Sequence, residues 1–539
     1  MRFYCLCECC LSCLNICENH KVIMECKDII LFLLASCLVI ASVDSSRILF
    51  LPFDHYNHVN LHAKFGEKLI SEGHYVTILT APRMKRILGK YSKIECWYYN
   101  FASYWEQDNM EDKMTEVAFD MGLLDKLKAM KGVKEKTYAD QERLLADEEM
   151  TVRIAHAKFD LMILDGLYMN RIQYIIPYRH DVPFITLAPI PEPWHAAIPS
   201  LPSSEVHFFF PGSDHMTFMQ RISSFLCTLA FYTITPPISH SYFEELLRKY
   251  APDKPLICVG DLHRKSEMWL VMMEHHVLEY PLLSHPAYKI IGGFAAKQVS
   301  PLTGDLSSFV GQANHGVILL TFGSGINSFP DHIMSKLMEA FSQIKQHVIM
   351  RYKGIAPSNK PSNVILMEWV PQNDILGHPN TKLFITHGGN SGQLESVAHA
   401  VPMITFPIGL DQMHNAERAK ARGYGLVMDF NTFTPDELVQ NINEMIDNKT
   451  YKDNLLKAQA ILDDLPDPLQ EIAFWVNHVL KFGGSHLKPV ALNMPWYQWL
   501  MIDILLVVLL FVYILYQMIK YSCRLVWKTC SWKTKQKTD

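Results

Sequence analysis

The stretch from Trp369 to Gln412, WVPQNDILGHPNTKLFITHGGNSGQLESVAHAVPMITFPIGLDQ, decides the fold because it reads as strand, tight turn and helix in succession. Its apolar run TKLFIT at 381–386 favours a strand, His387, Gly388 and Gly389 interrupt it, and a helical pattern begins near Asn390. In a parallel α/β sheet such a junction presents free backbone N–H groups and the positive end of a helix dipole. The stretch therefore predicts a turn that binds phosphate oxygens.

Other residues of the same stretch match the remaining parts of a nucleotide sugar. Glu395 lies one turn after Ser391 on the same helix face, where a carboxylate can accept hydrogen bonds from two ribose hydroxyls. Trp369 offers a flat face for a pyrimidine, and Gln372 follows it by three residues. Taken singly, each signal has an ordinary explanation, such as a plain turn or a core tryptophan. Their order within one stretch indicates a UDP-sugar site.

This stretch resembles the signature of the UDP-glycosyltransferases, in particular their membrane-bound animal branch. The resemblance implies the following donor contacts: Trp369 with uracil, Gln372 with the base and ribose, Glu395 with the ribose hydroxyls, His387, Gly389 and Ser391 with the diphosphate, and Asp411 with Gln412 at the transferred sugar. Two positions depart from the family pattern. Ala400 replaces a usual glycine, and Gly409 replaces a bulkier residue beside the sugar contacts, which leaves the identity of the donor sugar open.

The composition limits the class of protein. The chain has 539 residues, 49% of them hydrophobic, which is enough for two ordinary domains. Its formal net charge is −5, so the chain has no excess of basic residues and nucleic acid is not an expected partner.

The N-terminal region, residues 1–45, reads as a secretory signal. An apolar stretch at 29–41 is followed by the small residues Ser42 and Val43, and Met24 is an alternative start that would give ordinary signal dimensions. Six cysteines precede Met24 without the paired spacing of a metal site. Three cysteines lie between the signal and the C-terminal apolar segment: Cys96, Cys227 and Cys258. They can form one disulfide at most. A glycosylation sequon begins at Asn448.

The C-terminal region predicts a membrane anchor. Residues 499–519 would form an apolar helix about 31 Å long, within a predicted transmembrane segment at 496–519. Aromatic residues stand at its first boundary and Lys520 and Arg524 follow the second, so we expect a cytoplasmic tail at 520–539 and a lumenal body. Lys535 and Lys537 near the end resemble a dilysine retrieval signal of the endoplasmic reticulum, with a plain basic tail as the alternative. The expected protein is a single-pass type I protein of that membrane.

Between these ends, strands and helices alternate. The predicted order is an N-terminal acceptor-binding domain at 46–290, a linker at 291–315, a C-terminal UDP-sugar-binding domain at 316–467 and a helix returning to the membrane within 468–495. Two doubly wound Rossmann-like α/β domains facing a cleft are thus expected. The family resemblance agrees, since it implies the GT-B fold.

Sugar transfer to a hydroxyl requires a base, and the stretch after the first predicted strand contains His55, His58 and His62. The family resemblance falls on His58; a triple-histidine metal site and a structural histidine are the alternatives. The predicted strand at 159–165 ends at Asp165, which is expected to orient the imidazole. Asp160 is the second choice, but it begins that strand.

The leaving diphosphate would also meet Ser324, in the turn after the second domain's first strand. The chain contains no Asp-x-Asp triplet, so we expect no metal and no cofactor, with the UDP-sugar as co-substrate and inversion at the anomeric carbon. Glucose is the first choice of sugar and glucuronic acid the second, and the acceptor is expected to be small and lipophilic. A homo-oligomer and a catalytically silent lipophile- or nucleotide-binding membrane protein stay open. A dinucleotide-dependent oxidoreductase is disfavoured because no GxGxxG follows either domain's first strand.

Overall fold

Two parallel sheets form the body of the protein. The computed structural model describes residues 45–107, 123–190, 196–198, 205–206, 210, 212–234, 239–293, 298–323, 326, 328–409 and 411–535. The first sheet contains seven strands: β1 Arg47–Leu51, β2 Tyr75–Thr80, β3 Glu95–Tyr98, β4 Leu161–Asp165, β5 Phe184–Ala188, β6 Trp269–Met272 and β7 Tyr288–Ile291. The second sheet contains six: β8 Val317–Thr321, β9 His347–Arg351, β10 Val364–Met367, β11 Thr381–Thr386, β12 Met403–Thr405 and β13 Gly425–Val427.

The strand orders place a topological switch point in each sheet. They are β3-β2-β1-β4-β5-β6-β7 and β10-β9-β8-β11-β12-β13, and every pairing is parallel. The first three strands of each sheet are added towards one edge and the later strands towards the other, so the strand order reverses between β1 and β4 and between β8 and β11. In doubly wound sheets ligands bind outside the carboxyl ends of the strands at this point. The loops after these four strands are therefore where a site is expected.

Helices connect the strands. Those before β8 are α1 Tyr56–Ser71, α2 Lys85–Leu88, α3 Tyr104–Gln107, α4 Leu123–Ala146, α5 Glu148–Ala157, α6 Ile175–His180, α7 Phe218–Ile234, α8 His240–Tyr250, α9 Val259–Arg264 and α10 Gly304–Gly311. Those after β8 are α11 Asp331–Ser342, α12 Gln372–Leu376, α13 Asn390–Ala398, α14 Gln412–Ala421, α15 Pro435–Asp447, α16 Lys449–Asp464, α17 Pro468–Phe482, α18 Trp496–Trp499 and α19 Ile502–Lys535. Short 3₁₀ turns occupy Pro82–Met84, Tyr168–Tyr174, Ser485–Leu487 and Val490–Asn493.

Each sheet is covered on both faces. Along β1, Leu49 and Leu51 belong to one buried cluster while Ile48 and Phe50 belong to another. The residues of β8 divide between two further clusters in the same way. Successive side chains of a strand point to opposite faces, so continuous apolar strands with a core on each side are the expected result of a parallel sheet between helices. The predicted doubly wound α/β class is confirmed.

The structure differs from the sequence-based outline in three places. The sequence predicts four strands for the first sheet, at 47–53, 74–80, 159–165 and 183–188, and the structure adds β3, β6 and β7. The predicted linker at 291–315 contains α10, whose Leu306 and Val310 are buried in a core cluster of the second sheet. Helix α17 does not simply lead to the membrane, because Ile472 and Val476 complete a core cluster of the first sheet.

Helix α19 is the candidate membrane span. Its portion Ile502–Trp527 is long and apolar enough to cross a bilayer, and none of it is buried in the protein. It is the one such helix within the described ranges. The signal region at 1–44 and the last residues, 536–539, lie outside the described residues.

Ala400 provides a first stability prediction, because its φ of 51° lies in the left-handed region. That conformation costs a residue with a Cβ about 1–2 kcal/mol. Ala400→Gly removes this strain. The gain offsets the lost burial of one methyl group, about 0.8 kcal/mol, and the greater entropy of glycine in the unfolded chain. We expect a change in the free energy of unfolding within about 0.5 kcal/mol of zero.

The matched control is Ala460→Gly in the exposed middle of α16. Without relief of strain it should cost about 1 kcal/mol. Urea unfolding of both variants compares them. A cost at Ala400 equal to that at Ala460 would show that the left-handed conformation carries no strain.

Candidate donor and acceptor site

The predicted base and its carboxylate meet at the switch point of the first sheet. Nδ1 of His58, in the first turn of α1, donates to Oδ2 of Asp165 at a distance of 2.6 Å. Asp165 is fully buried at the end of β4, while the side chain of His58 remains 17% exposed. Burial alone would raise the pKa of Asp165, but its electrostatic interaction and hydrogen bond with His58 outweigh this effect, and the pKa lies below its usual range. The carboxylate is therefore ionised at neutral pH.

The orientation of Asp165 is fixed by its neighbours. The backbone N–H of Leu167 donates to Oδ1 at 2.9 Å, so both carboxylate oxygens are engaged. Asp160, the second choice from the sequence, lies at the other end of the strand, where it accepts from the backbone N–H of Arg47. The structure thus pairs His58 with Asp165 and separates it from Asp160.

The other two histidines of this stretch have different environments. Burial and the nearby charges of His58 and Arg83 lower the pKa of His55 to about 3. His62 is fully buried, with Nδ1 bonded to the backbone carbonyl of His58, and burial lowers its pKa as well. Within the described part of the chain, no group of three or more His, Cys, Asp or Glu side chains is placed to hold a metal ion.

Aromatic side chains surround the exposed edge of His58. The ring of Phe53 lies 5.4 Å from its imidazole and that of His55 lies 5.8 Å away, both edge to face. Trp105 of α3 packs against Phe53 and His55 at 6.4 and 5.8 Å. The predicted base therefore lies beside aromatic rings that suit an apolar acceptor. Residues 108–122 and 207–209 lie outside the described residues.

A contact across the cleft brings the two sheets' loops together. Tyr56, two residues before His58, lies 6.5 Å from the ring of Trp369 in the loop after β10. Trp369 is 60% exposed, and the guanidinium of Arg351 lies 5.6 Å from its ring centroid. The start of α1 thus faces the predicted uracil-binding tryptophan.

The predicted base- and ribose-binding residues are joined directly. Nε2 of Gln372 donates to Oε2 of Glu395 at 2.6 Å, which links the start of α12 to the second turn of α13. Ser391 is exposed in the first turn of α13, one turn before Glu395. This pairing places an amide and a carboxylate side by side, the arrangement needed to contact a pyrimidine edge and a diol together.

The turn after β11 has the predicted geometry. Strand β11 ends at Thr386, Gly388 has a φ of 84°, and Gly389 stands before α13 without a side-chain cap. A Cβ at Gly389 would lie 2.6 Å from Nε2 of His387, so only glycine fits against this imidazole. The first N–H groups of a helix lack intrahelical partners, and here no side chain from the N-cap takes their place.

His387 is enclosed between this turn and the loop after β8. A Cβ on Gly323 would lie 3.0 Å from its Cε1, which shows how closely the two loops approach. Burial lowers the pKa of His387 to about 4, so its imidazole is uncharged at neutral pH. The loop after β8 is held by Arg351, which donates to the carbonyls of Gly323 and Ile326. Ser324 itself lies outside the described residues.

Asp411 and Gln412 begin α14 at the same edge of the second sheet. Oε1 of Gln412 accepts from the backbone N–H groups of Ile408 and Gly409 at 2.9 and 3.3 Å, and Oδ2 of Asp411 accepts from Nδ2 of Asn415 at 2.7 Å. These bonds orient both side chains. A Cβ on Gly409 would meet no atom within 4 Å, so open space lies beside the predicted sugar contacts.

Comparison with known proteins identifies the family. The family model described as UDP-glucoronosyl and UDP-glucosyl transferase matches residues 46–537. The chain belongs to this family. It is 30% identical to mouse UDP-glucuronosyltransferase 1A9 over 512 residues, covering 90% of this chain and 94% of the relative. It is also 30% identical to mouse UDP-glucuronosyltransferase 1A6, covering 90% and 93%.

Solved structures agree on the fold of this UDP-glycosyltransferase. The glycotransferase of kitacinnamycin superposes with a TM-score of 0.59 at 17% identity, covering 81% of this chain and 99% of that one. The calicheamicin glycosyltransferase CalG4 gives 0.57 at 17% identity, covering 82% and 99%. The GT-B arrangement implied by the sequence is therefore confirmed, and the chain is a UDP-glycosyltransferase.

A buried charged cluster connects the two halves of the transferase. Glu279, in the connection between β6 and β7, accepts from Nε2 of His414 at 2.9 Å and forms an ion pair with Arg418 of α14. Arg418 also donates to Oδ1 of Asn390 and Oε1 of Gln393 in α13, each at 2.9 Å. Burial alone would raise the pKa of Glu279, but Arg418 and His414 hold it well below its usual range. The cluster fixes the N-terminus of α13 to the first half of the chain.

Sequence reasoning missed four of these residues. Arg351 ends β9 at the same sheet edge as His387, so its position at a strand end was a usable signal. Tyr56 stands beside the predicted base, but its contact with Trp369 depends on how the two sheets face each other. Glu279 and Arg418 are 139 residues apart, and no spacing rule connects them.

Proposed function

We propose that this transferase moves a hexose from a UDP-sugar to a hydroxyl of a small lipophilic acceptor, with inversion and with His58 as general base. The observation that carries the proposal is the pair of His58 and Asp165 at the first switch point, on a helix whose Tyr56 contacts Trp369 of the donor half. An acceptor bound against His58 and a nucleotide bound at Trp369 would then share one cleft.

The geometry of the pair suits proton removal. Because Nδ1 of His58 donates to Asp165, its Nε2 is the nitrogen that accepts the proton of the acceptor hydroxyl. The ionised carboxylate stabilises the imidazolium that forms as the acceptor oxygen attacks the anomeric carbon. The bond to the UDP oxygen breaks as the new bond forms, so an α-linked donor gives a β-glycoside.

The donor half would hold UDP with the residues brought together around α12, α13 and α14. Trp369 would stack on uracil, and the paired Gln372 and Glu395 would bind the base and ribose. The diphosphate would lie at His387, Gly389 and Ser391, with Ser324 in the adjoining loop. We propose that neither metal nor cofactor takes part, since a neutral hydrogen-bond donor and an uncapped helix N-terminus are available for the leaving group.

Glucose is the first choice of sugar, at a subsite formed by Asp411 and Gln412. The cations that follow in sequence have other partners: Arg418 pairs with Glu279, Lys420 lies 4.0 Å from Glu417, and Arg422 donates to the carbonyls of Leu278 and Glu279. A sugar carboxylate therefore has no evident partner from α14. Glucuronic acid is the second candidate because the curated relatives are named UDP-glucuronosyltransferases.

We propose a cellular setting from the apolar segments at 29–41 and 502–527. Helix α19 would anchor the protein as a single-pass type I protein of the endoplasmic reticulum membrane, with the catalytic body in the lumen. A lumenal body next to a bilayer meets lipophilic compounds that dissolve in lipid. The aromatic surroundings of His58 support an acceptor of this class.

A donor panel tests the proposal. Full-length protein in detergent is incubated with a simple phenol and with UDP-glucose, UDP-glucuronic acid, UDP-galactose or UDP-N-acetylglucosamine, and released UDP is measured. We expect release to be fastest with UDP-glucose and the product to be the β-anomer by NMR. Fastest release with UDP-glucuronic acid would select the second candidate, and UDP binding without any release would contradict transferase activity.

Glu395 gives a prediction specific to the ribose. Loss of hydrogen bonds from a carboxylate typically costs 1.5–3 kcal/mol, so Glu395→Ala should raise KM for the UDP-sugar about tenfold to a hundredfold. The same variant should bind UDP and 2′-deoxy-UDP about equally, because the group that contacts the 2′-hydroxyl is gone. Competition assays with the two nucleotides check this. Retained preference for UDP would place the ribose elsewhere.

A further inference from the structure

Two histidines meet on the surface where α17 ends. His478 stands near the end of this helix, and His486 lies in the 3₁₀ turn Ser485–Leu487 that follows it. Their Nε2 atoms are 2.9 Å apart and their ring centroids 5.0 Å apart. His486 is exposed and His478 is half-buried. Two imidazole nitrogens therefore converge at a place that solvent can reach.

The backbone brings the two rings together without a ligand. Gly483 ends α17 with a φ of 67°, and its N–H donates to the carbonyl of Val479 at 2.8 Å. The N–H of Gly484 donates to Oε2 of Glu267 at 2.7 Å, and a Cβ on Gly484 would lie 2.0 Å from the carbonyl oxygen of Glu267. The chain thus reverses through two positions that suit glycine alone.

Both elements that carry the histidines are fixed to the first sheet. Val476 and Val479 of α17 are buried in a core cluster, and Leu487, next to His486, packs against the same cluster. Ligands that are held in place before binding avoid much of the entropy lost on ordering side chains. The histidine pair is therefore pre-organised.

The separation of the two nitrogens indicates which cation suits them. Imidazole nitrogens bind transition metals at about 2.0–2.1 Å, so two of them lie roughly 2.9 Å apart at a right angle and roughly 3.3 Å apart at a tetrahedral angle. Right angles are typical of Cu²⁺ and Ni²⁺ in square-planar or tetragonal sites, whereas Zn²⁺ favours a tetrahedron. The observed distance of 2.9 Å matches the right angle.

Aromatic rings surround His478 on its own helix. The centroid distances from its imidazole are 5.2 Å to Phe482, 5.6 Å to Trp475 and 6.1 Å to Phe474. An apolar surround limits the access of water to a metal ion and lowers the local dielectric constant. It therefore favours coordination by the imidazoles.

The positive charges of this stretch have other neighbours. Nζ of Lys481 lies 5.1 Å from the ring centroid of Phe482, and Nζ of Lys488 lies 4.0 Å from Oε2 of Glu267. No other lysine or arginine occurs between residues 474 and 488. These contacts direct both ammonium groups to other side chains, which limits their repulsion of a bound cation.

We propose that His478 and His486 chelate a divalent transition-metal cation of tetragonal geometry, Cu²⁺ or Ni²⁺. Among the described residues no group of three metal-binding side chains occurs, so water would fill the remaining positions. At 2.9 Å one Nε2 carries the hydrogen that bonds the other, and that imidazole moves its proton to Nδ1 when both nitrogens bind metal. The cation would tie the end of α17 to the turn that leads towards α19. It takes no part in sugar transfer, and this inference does not depend on that reaction.

Metal titration tests the site. Full-length protein in detergent is freed of metal with a chelator and titrated with Ni²⁺ by calorimetry. Loss of even an outer-shell partner commonly costs tenfold or more in metal affinity, so His478→Ala and His486→Ala should each weaken one binding event at least about tenfold. His240→Ala is the matched control, because His240 is an exposed helical histidine beside Glu244, and it should leave this event unchanged.

Electron spin resonance identifies the ligands directly. With one equivalent of Cu²⁺, spin-echo modulation should show two imidazoles on the metal in the wild type and in His240→Ala. It should show one in His478→Ala. Circular dichroism confirms folding, and His478→Gln, which keeps a polar side chain of similar size, replaces the alanine variant if that variant does not fold.

Thermal unfolding gives a further measurement. A cation that binds only the folded protein raises Tm, so Ni²⁺ should raise Tm of the wild type and of His240→Ala more than that of His478→Ala or His486→Ala. Equal metal affinity in all four proteins would overturn the proposal, because the cation would then bind other side chains. A single imidazole on Cu²⁺ in the wild type would overturn it as well, and so would tighter binding of Zn²⁺ than of Cu²⁺.

Discussion

We expect His58→Ala to lower the rate of sugar transfer by a factor of about 10²–10⁴, the usual contribution of a positioned general base. The affinity for UDP should be nearly unchanged, because His58 lies in the first half of the chain and the predicted nucleotide contacts lie in the second. The rate is measured as UDP release with a phenol at saturating donor, and the affinity by calorimetry.

Two variants separate a base from a structural histidine. Asp165→Asn keeps the size of the partner and removes the charge that stabilises the imidazolium, so it should also lower the rate severely. His55→Ala removes a neighbouring ring whose pKa of about 3 leaves it neutral, and should have a far smaller effect. Substantial turnover in His58→Ala would refute the assignment of the base. A fall in UDP affinity equal to the fall in rate would indicate structural damage instead.

Local sequence patterns were sufficient to predict those features that depend only on residues close together in the chain. The junction of β11 with α13 was predictable because glycines and a helical pattern follow an apolar run. The start of α15 was equally local: Thr434 precedes Glu437 by three residues, the spacing of a capping box, and its hydroxyl accepts from the N–H of Glu437. The pairing of Asp165 with His58 was predictable because Asp165 stands at the end of a predicted strand.

Features that depend on distant contacts were not predictable. Strands β6 and β7 have four residues each, so their periodicity is too short to distinguish them from buried loops. The return of α17 to the first sheet depends on the core that Ile472 and Val476 complete. The position of Arg351 beside Trp369 depends on the approach of two loops, which single-strand patterns do not contain.

Arg418→Met should destabilise the protein by about 3–5 kcal/mol, the cost of leaving a buried charge without its partner. Arg418 is almost fully buried, and its partner Glu279 lies in the other half of the chain. The folded pKa of Glu279 lies below its unfolded value, so the stabilisation is fully present above the unfolded pKa and is lost as pH falls through the folded one. Arg418→Met should therefore show its full loss of stability at neutral pH.

Urea unfolding followed by tryptophan fluorescence gives the magnitude. Lys128→Met provides the control, because Lys128 and Asp125 form an ion pair on the surface and its loss should cost about 0–1 kcal/mol. A cost for Arg418→Met as small as that of Lys128→Met would show that Glu279 is solvated or protonated in the folded protein.

Removing both charges separates stability from donor binding. In Glu279→Met combined with Arg418→Met no buried charge is left alone, so much of the stability should return. The hydrogen bonds from Arg418 to Asn390 and Gln393 are still missing, and these hold the first turn of α13, where the diphosphate is expected. We therefore expect KM for the UDP-sugar to stay raised although the fold has recovered. If stability and KM recover together, Arg418 acts on the fold alone and α13 keeps its position without it.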